Sequence, residues 1–453
     1  MTGKKFFFIA AITLSLLGTI GLMGSVEQQA IMKNIPGFVK DRVVIKLSGD
    51  DLFHARPAMT EKTRIGRNIE RQIPVSDALT AKYRGEVKSV TRHDATGYYI
   101  LETVSGCDIR RLCRKLKDDP GVEDASPDYY AAVTEAVTAP NDPFFQYQYG
   151  LNNTGQIYVP DLGLTGTAGS DMRALQGWSW STGSDSVIIA VIDTGVASNH
   201  EDLQGKIVPG YNAVADNFDP YDDNGHGTLS ASIAAAETGN NLGIAGMCWL
   251  AKIMPVKVLS ADGYGSYTNI AAGIRYAADH GAKIINLSLG GSNPSFILED
   301  SCQYAFSKGS TLIAASGSNG GVVLYPAAYD NYCLAVAGTD ADDARASFSN
   351  YGPQVDVAAP GAYIWGAKFI ASDPANLNSY RWGNGTSFST PYVSGAAALL
   401  LSYKPFLTNS QIMDLIRFTA DDVNKTTYPG VDPYLGYGRL NLDTLLGPYQ
   451  IPK

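Results

Sequence analysis

The stretch Val187-Ile-Ile-Ala-Val-Ile-Asp193-Thr194-Gly195-Val196 decides how this chain is read. Apolar, mostly β-branched residues run without a polar interruption and end on an acid and a glycine. A strand without polar alternation is buried on both faces, as in a parallel sheet covered by helices. In open sheets of that kind, functional groups collect at the carboxyl ends of the strands, and Asp193 stands at such an end. Taken alone, an acid there more often caps a turn or a helix.

Outward from this strand the pattern repeats. Residues 252–259, 283–289, 311–315 and 333–337 read as further short apolar strands, and 227–236, 269–280 and 296–308 as helices. This alternation over 142–449 predicts an α/β domain with a central parallel sheet and helices on both faces. Upstream, residues 36–133 read as a smaller α+β unit. Strands are expected at 42–48, 86–91, 97–104 and 122–132, and helices at 75–83 and from Asp108 onward. The second helix carries Ile109, Leu112, Cys113 and Leu116 at helical spacing. The order β-α-β-β-α-β is that of a ferredoxin-like unit. Residues 134–141 read as a linker.

At the N-terminus, Lys4 and Lys5 precede a largely apolar run over 6–23. A charged segment before an apolar one predicts a secretory signal over 1–24. The length of the run leaves open a retained N-terminal anchor. Either reading carries the rest of the chain across a membrane, so a secreted or externally tethered protein is expected. Contact with a membrane is expected only if that segment is retained.

Composition narrows the classes. Hydrophobic residues make up 45% and charged residues 17% of 453, which excludes a disordered chain. The net charge of −9 offers no basic footprint for phosphates, which argues against nucleic acid as a partner. Residues 1–141 carry 20 Lys+Arg against 17 Asp+Glu, and the remainder 15 against 27. Parts of opposite sign attract. The five cysteines form no CxxC and no zinc-ligand spacing. A Cys302–Cys333 disulfide stays open.

Two further motifs carry chemistry. In Asp222-Asp223-Asn224-Gly225-His226-Gly227-Thr228 a histidine sits between glycines at the mouth of a small-residue helix. Imidazole suits proton transfer near neutral pH. In Asn384-Gly385-Thr386-Ser387-Phe388-Ser389-Thr390-Pro391 a serine opens an apolar helix, with Pro391 expected in the first turn. Free amides at a helix start favour a negatively charged oxygen beside that serine. Each motif alone reads as a cap or a surface group. Together they fall in the order Asp, His, Ser, one of the orders in which catalytic triads occur.

With these motifs in hand, the chain resembles the subtilisin-like serine peptidases, or subtilases. The likeness rests on Val191-Ile-Asp193-Thr-Gly-Val196, with His200 and Asp202-Leu203, on Asn224-Gly-His226-Gly-Thr228, and on Gly385-Thr-Ser387 with Pro391. Asn286-Leu-Ser288-Leu-Gly290, Ala346-Ser-Phe-Ser349 and Ala358-Ala-Pro-Gly361 add to it. The unit at 36–133, through Asp119-Pro-Gly-Val122 and Ser126-Pro-Asp-Tyr129, resembles the family's propeptide, an intramolecular chaperone and inhibitor. The resemblance implies an exported serine endopeptidase made as a zymogen, cut between Tyr130 and Asp142, acting on protein or peptide substrates. Asp193, His226 and Ser387 would form the triad, working through an acyl-enzyme.

Relatives place an asparagine side chain in the oxyanion hole. Here the matching run is Ala314-Ala315-Ser316-Gly317-Ser318-Asn319-Gly320-Gly321. Ser318 stands in the asparagine's column, and Asn319 follows it. Asn319 is the expected donor, with Ser318 as the alternative; loss of such a donor costs about 100–1,000-fold in rate. Substrate would lie between Ser288-Leu289-Gly290 and Gly263-Tyr264-Gly265, with Tyr264 shaping the outer subsites. Calcium is common among relatives, and Asp216, Asp219 and Asp222 are the carboxylates that would hold a structural Ca²⁺. The chemistry itself needs no cofactor. A catalytically weak subtilase-fold protein that acts by binding is the alternative that the Ser318 departure raises.

Overall fold

The computed structural model describes residues 38–48, 61–62, 68–69, 75–129, 139–370, 372–373 and 375–447. The expected signal or anchor segment over 1–24 lies outside them, as do most of the linker and the end of the strand expected at 122–132. The chain divides into two compact units, Met1–Val133 and Thr134–Lys453.

The first unit has strand β1 (Phe38–Leu47), a short β2–β3 pair (Glu61–Lys62 and Asn68–Ile69), helix α1 (Val75–Lys82), β4 (Val87–Arg92), β5 (Tyr99–Thr103), α2 (Ile109–Lys117) and β6 (Val122–Tyr129). Four strands form an antiparallel sheet in the order β4-β5-β1-β6. Two helical segments return the chain to this sheet, which is the ferredoxin-like arrangement. Asp108 caps α2 by accepting the Arg111 amide at 3.0 Å. The apolar stripe Ile109, Leu112, Cys113 and Leu116 is buried with Val43, Ile45 and Leu101 in one core.

The second unit opens with the β7–β8 pair (Ile157–Val159, Leu164–Thr165) and α3 (Ala174–Trp180). Its centre is built from β9 (Ile188–Asp193), β10 (Tyr211–Asn212), α4 (His226–Ala235), β11 (Lys252–Lys257), α5 (Tyr267–Asp279), β12 (Ile284–Leu287), α6 (Phe296–Ser307), β13 (Thr311–Ala315), β14 (Cys333–Thr339) and β15 (Val355–Pro360). The β16–β17 hairpin (Ile364–Ala367, Tyr380–Gly383) leads into α7 (Thr386–Tyr403), followed by α8 (Asn409–Phe418) and α9 (Leu442–Leu446). Seven strands form a parallel sheet in the order β10-β11-β9-β12-β13-β14-β15.

The apolar strands divide their side chains between two cores. Ile189 and Val191 join the core that contains α4 and α7, whereas Ala190 and Ile192 join the core that contains α5 and α6. That period-2 division explains why the strand sequence shows no polar alternation: neither face meets water. Helix α7 is buried nearly all round, as its small and apolar residues allow. β9 and β12 are neighbours although the chain visits β10 and β11 between them. Such a reversal opens a crevice at the strands' carboxyl ends, where ligands bind in open α/β sheets.

Several expected boundaries move. The strand expected at 283–289 ends at Leu287, and the chain leaves the parallel sheet over residues 288–290. The helix expected at 227–236 begins one residue earlier, so His226 is its first residue. Pro391 is not in the first turn but inside α7. β15 escaped the sequence reading because Asp356 and Pro360 interrupt it; Asp356 is accommodated by the Arg417 guanidinium at 2.7 Å. All five cysteines are free thiols. Cys302 and Cys333 are fully buried and share a hydrogen bond, so the disulfide left open by the sequence is replaced by two thiols in contact. Among the described residues no helix is long and apolar enough to cross a membrane.

Candidate active site

Asp193 ends β9, fully buried. Its Oδ1 accepts the Thr194 amide at 2.7 Å and His226 Nδ1 at 2.7 Å. The approach is close because the backbone there is bare. A side chain on Gly227 would collide with the Gly195 carbonyl oxygen, and Gly195 itself has φ +106°, a region that disfavours other residues. The His226 side chain is 27% exposed, so its outer edge meets the cleft. Burial, the largest single influence, pulls the imidazole down, but the carboxylates of Asp193 and Asp222 together outweigh it, and His226 titrates above its ordinary 6.5.

Asp222 ties the acid loop to the histidine helix. One oxygen accepts Thr194 Oγ1 (2.8 Å) and the amides of Asn224 (3.0 Å) and Gly225 (2.9 Å). The other accepts the Thr228 amide (3.0 Å) and hydroxyl (2.5 Å). Lys257, the register partner of Asp193 on β11, buries its ammonium behind the same loops. It donates to the carbonyls of Thr194 and Leu259 at 2.8 Å and to Asp223 Oδ1 at 2.6 Å.

Ser387 is the second residue of α7. Pro391 has no N–H, so the Ser387 carbonyl lacks its partner four residues on. Ser288 Oγ fills that place at 2.7 Å, and Ser387 Oγ donates back to the Ser288 carbonyl at 3.1 Å. Behind Ser288 runs a buried chain: Asn286 Nδ2 donates to Ser288 Oγ at 2.9 Å, and Ser394 Oγ to Asn286 Oδ1 at 2.9 Å. The Ser387 hydroxyl therefore rests on Ser288 rather than on His226. The two motifs still meet, because the Phe388 ring lies 5.4 Å from the imidazole.

The two oxyanion candidates part company. Ser318 Oγ accepts the Thr386 amide at 2.9 Å, beside the start of α7. The Asn319 carboxamide turns back into its own loop and accepts the Gly321 amide at 3.2 Å. A cleft of 310 Å³ is lined by His226, Tyr264, Gly265, Ser288, Leu289 and Gly290, all expected from the sequence. Tyr267, Ile270 and Asn224 also line it and were missed. Tyr267 reads as an ordinary helix start, and nothing in a linear pattern announces that Asn224 Nδ2 will bridge to the Ala261 carbonyl at 2.7 Å.

Asp216, Asp219 and Asp222 each accept protein donors in this structure. A carboxylate offers about four lone-pair directions, and Asp222 already meets five protein donors. Asp216 accepts the Tyr211 hydroxyl at 2.8 Å, and Asp219 accepts the Tyr221 amide at 3.3 Å. Among the described residues no three His, Cys, Asp or Glu side chains are grouped to hold a metal ion. The acidic loop is a set of turn and cap acceptors.

A sequence model of the subtilase family, peptidase S8, matches residues 184–438, more than half of the chain. The chain belongs to the subtilase family. It is 41% identical over 335 residues to a thermophilic serine proteinase of Bacillus sp. strain AK1, covering 74% of this chain and 75% of that protein. Identity to thermitase of Thermoactinomyces vulgaris is 42%, covering 67% of this chain and 97% of that one. The halolysin-like extracellular serine protease Nep of Natrialba magadii is 32% identical, covering 90% of this chain and 67% of its own. That span is longer than the second unit, so this subtilase likeness reaches upstream of the catalytic unit. Among solved structures, a protease of Pseudoalteromonas arctica matches with TM-score 0.59 at 27% identity, over 68% of this chain and 99% of that one. This subtilase is a subtilisin-like serine endopeptidase, a hydrolase acting on proteins or peptides.

Proposed function

We propose that Asp193, His226 and Ser387 carry the hydrolysis. Ser387 Oγ leaves the Ser288 carbonyl by a rotation about its side-chain bond and attacks the substrate carbonyl. His226 takes its proton and later delivers it to the leaving amine. Asp193 holds Nδ1–H and stabilises the imidazolium. The Ser387 amide, in a helix turn without intrahelical acceptors, receives the oxyanion. Ser318, not Asn319, is the second donor, because only its hydroxyl stands beside Thr386. Substrate pairs as an added strand along 288–290 and 263–265.

The observation that carries this reading is the 2.7 Å contact of Asp193 with His226 at the head of a cleft whose other edge exchanges two bonds with Ser387. A fluorophosphonate probe tests it: labelling of Ser387, abolished in Ser387→Ala, is expected. Labelling that persists in the variant would remove Ser387 as nucleophile.

The upstream unit acts as propeptide, chaperone and inhibitor of a zymogen exported across a membrane. Its opposite charge supports this role. The cut lies N-terminal to Asn141, since Asn141 Oδ1 accepts the Asn241 amide at 3.1 Å and buried Asp142 accepts the Gly239 amide at 2.8 Å. N-terminal sequencing of the secreted product, beside Ser387→Ala, checks both processing and its origin. The reading as a weakly catalytic binding protein draws on Ser318, whose hydroxyl is shorter than a carboxamide. If Ser318 donates, Ser318→Ala lowers kcat by about 100-fold with KM little changed; an unchanged kcat excludes it as donor.

A further inference from the structure

The β16–β17 hairpin packs beside the start of α4. In an antiparallel pair, residues directly opposite share a face and successive residues alternate between faces. Ile364 pairs with Gly383 and Gly366 with Arg381, so these four share one face, while Trp365 and Trp382 share the other. The glycines show what the first face meets. A Cβ placed on Gly366 would lie 2.8 Å from Leu229 Cγ, and one placed on Gly383 would run into the Phe388 ring. Leu229 is the fourth residue of α4, and the Phe388 ring lies 5.4 Å from the His226 imidazole. Arg381 therefore stands between two bare positions, on the hairpin face turned toward the histidine helix.

Its charge is unmatched. Arg381 is half-buried, and its Nε is buried without a hydrogen-bond partner. Among the described residues the guanidinium joins no ion pair. A guanidinium stays ionised, and one drawn partly out of water is ordinarily paired. The charge reaches the catalytic imidazole: Asp193 and Asp222 raise His226, and Arg381 pulls against them. Yet neither Arg381 nor Phe388 lines the cleft bounded by 263–265 and 288–291. That cleft takes the acyl part of a substrate under the proposed reading. The leaving amine receives its proton from His226, so the leaving peptide begins at the imidazole and runs away from the cleft, on the side of Phe388 and Arg381.

We infer that Arg381 is a specificity-determining residue that selects an acidic side chain within the first two residues after the scissile bond. The inference rests on the proposed triad and on the 288–290 edge. An Asp or Glu carboxylate supplies what the guanidinium lacks, since its two oxygens accept two parallel N–H bonds from the planar fork. The preference runs against the wider field. Residues 142–453 carry 15 Lys+Arg against 27 Asp+Glu, and that net charge by itself favours cationic peptides. A preference for acid must therefore come from a local cation.

The test uses the full-length chain after its own processing. Internally quenched peptides differ only in carrying Glu, Ala or Lys at the first or the second position after the scissile bond, and mass spectrometry confirms the bond cut. The parent is expected to show kcat/KM at least about tenfold higher for Glu than for Lys at one of these positions. Arg381→Gln is expected to bring that ratio to about one or below. Arg381→Met, which keeps the stem beside Gly366, is expected to do the same, and Arg381→Glu to invert the parent's ratio. Each ratio is taken within one variant, so a general loss of rate cancels. A parent without preference for Glu at either position overturns the inference before any variant is made. A ratio unmoved in the two neutral variants overturns it as well. If a fluorophosphonate still labels Ser387 in that case, the nucleophile stands and only the role of Arg381 falls; a parent that cuts no peptide and takes no label removes both.

Discussion

Asp193 and His226 are fixed by charge, whereas Ser387 is fixed by neutral hydrogen bonds. Around the first pair, the Asp222 carboxylate gathers five donors and the Lys257 ammonium gathers three acceptors. Around Ser387 the contacts come from Ser288, Asn286, Ser394 and Ser318, none of them ionised. Under the proposed roles, the difference follows from what each half has to do. A proton must be passed at a chosen pH, so the imidazole sits in a field of fixed charges. A nucleophile must only be aimed, and a carbonyl freed by a proline and claimed by a hydroxyl achieves that without titrating.

The comparison can be broken at either half. The largest effect is expected from Asp193→Asn, which keeps the shape but removes the charge and the tautomer control: kcat falls by about 10,000-fold. A drop below tenfold in peptide turnover would mean that charge does not hold the acid–base half. Asp222→Ala comes next. It strips the acceptor from three amides and two hydroxyls, and at least about 3 kcal/mol of unfolding free energy should be lost. Urea unfolding reads this directly, and a loss under about 1 kcal/mol would show that water replaces the carboxylate.

Smaller effects sharpen the contrast. Ser288→Ala leaves the Ser387 carbonyl without a donor, and one such loss is worth about 1–3 kcal/mol. Turnover is expected to drop about tenfold with KM nearly constant, since the 288–290 edge binds substrate through its backbone. Equal turnover would show that Pro391 and Ser288 do not aim the serine. The smallest effect concerns pH. Asp193 and Asp222 together override burial to raise His226, and the proposed general base must be a neutral ring. Activity is therefore lost as pH falls through that raised value, and the acid limb of kcat/KM should lie above 6.5. Ser288→Ala should leave the limb in place; a limb at or below 6.5 in the parent would contradict the charged half.

Much of this was legible beforehand for a plain reason. Strands buried on both faces must be continuously apolar, so β9, β11, β12, β13 and β14 announced themselves. Gly227 after His226 is visible because close backbone approach tolerates nothing larger, and Gly225 and Gly385 because their positive φ disfavours a side chain. β15 was invisible, since its acid is neutralised by Arg417, sixty-one residues away in the chain. The hydrogen bonds of the acidic loop were illegible for a related reason. Asp216, Asp219 and Asp222 look like ligands in a row, yet each is spent on a nearby donor.

By itself the sequence determined the two units, the sheet's character and the order of acid, imidazole and hydroxyl, because these depend on local pattern and on residue type. Only the tertiary structure decided which oxygen or amide each polar group meets. It set Ser318 beside Thr386 and turned Asn319 away, gave Ser288 the carbonyl that Pro391 leaves free, and drove Leu324 between Gly290 and Gly317. Such choices depend on where distant segments come to rest, and hydrogen bonds and steric contact act over a few ångströms of space, whatever the separation along the chain.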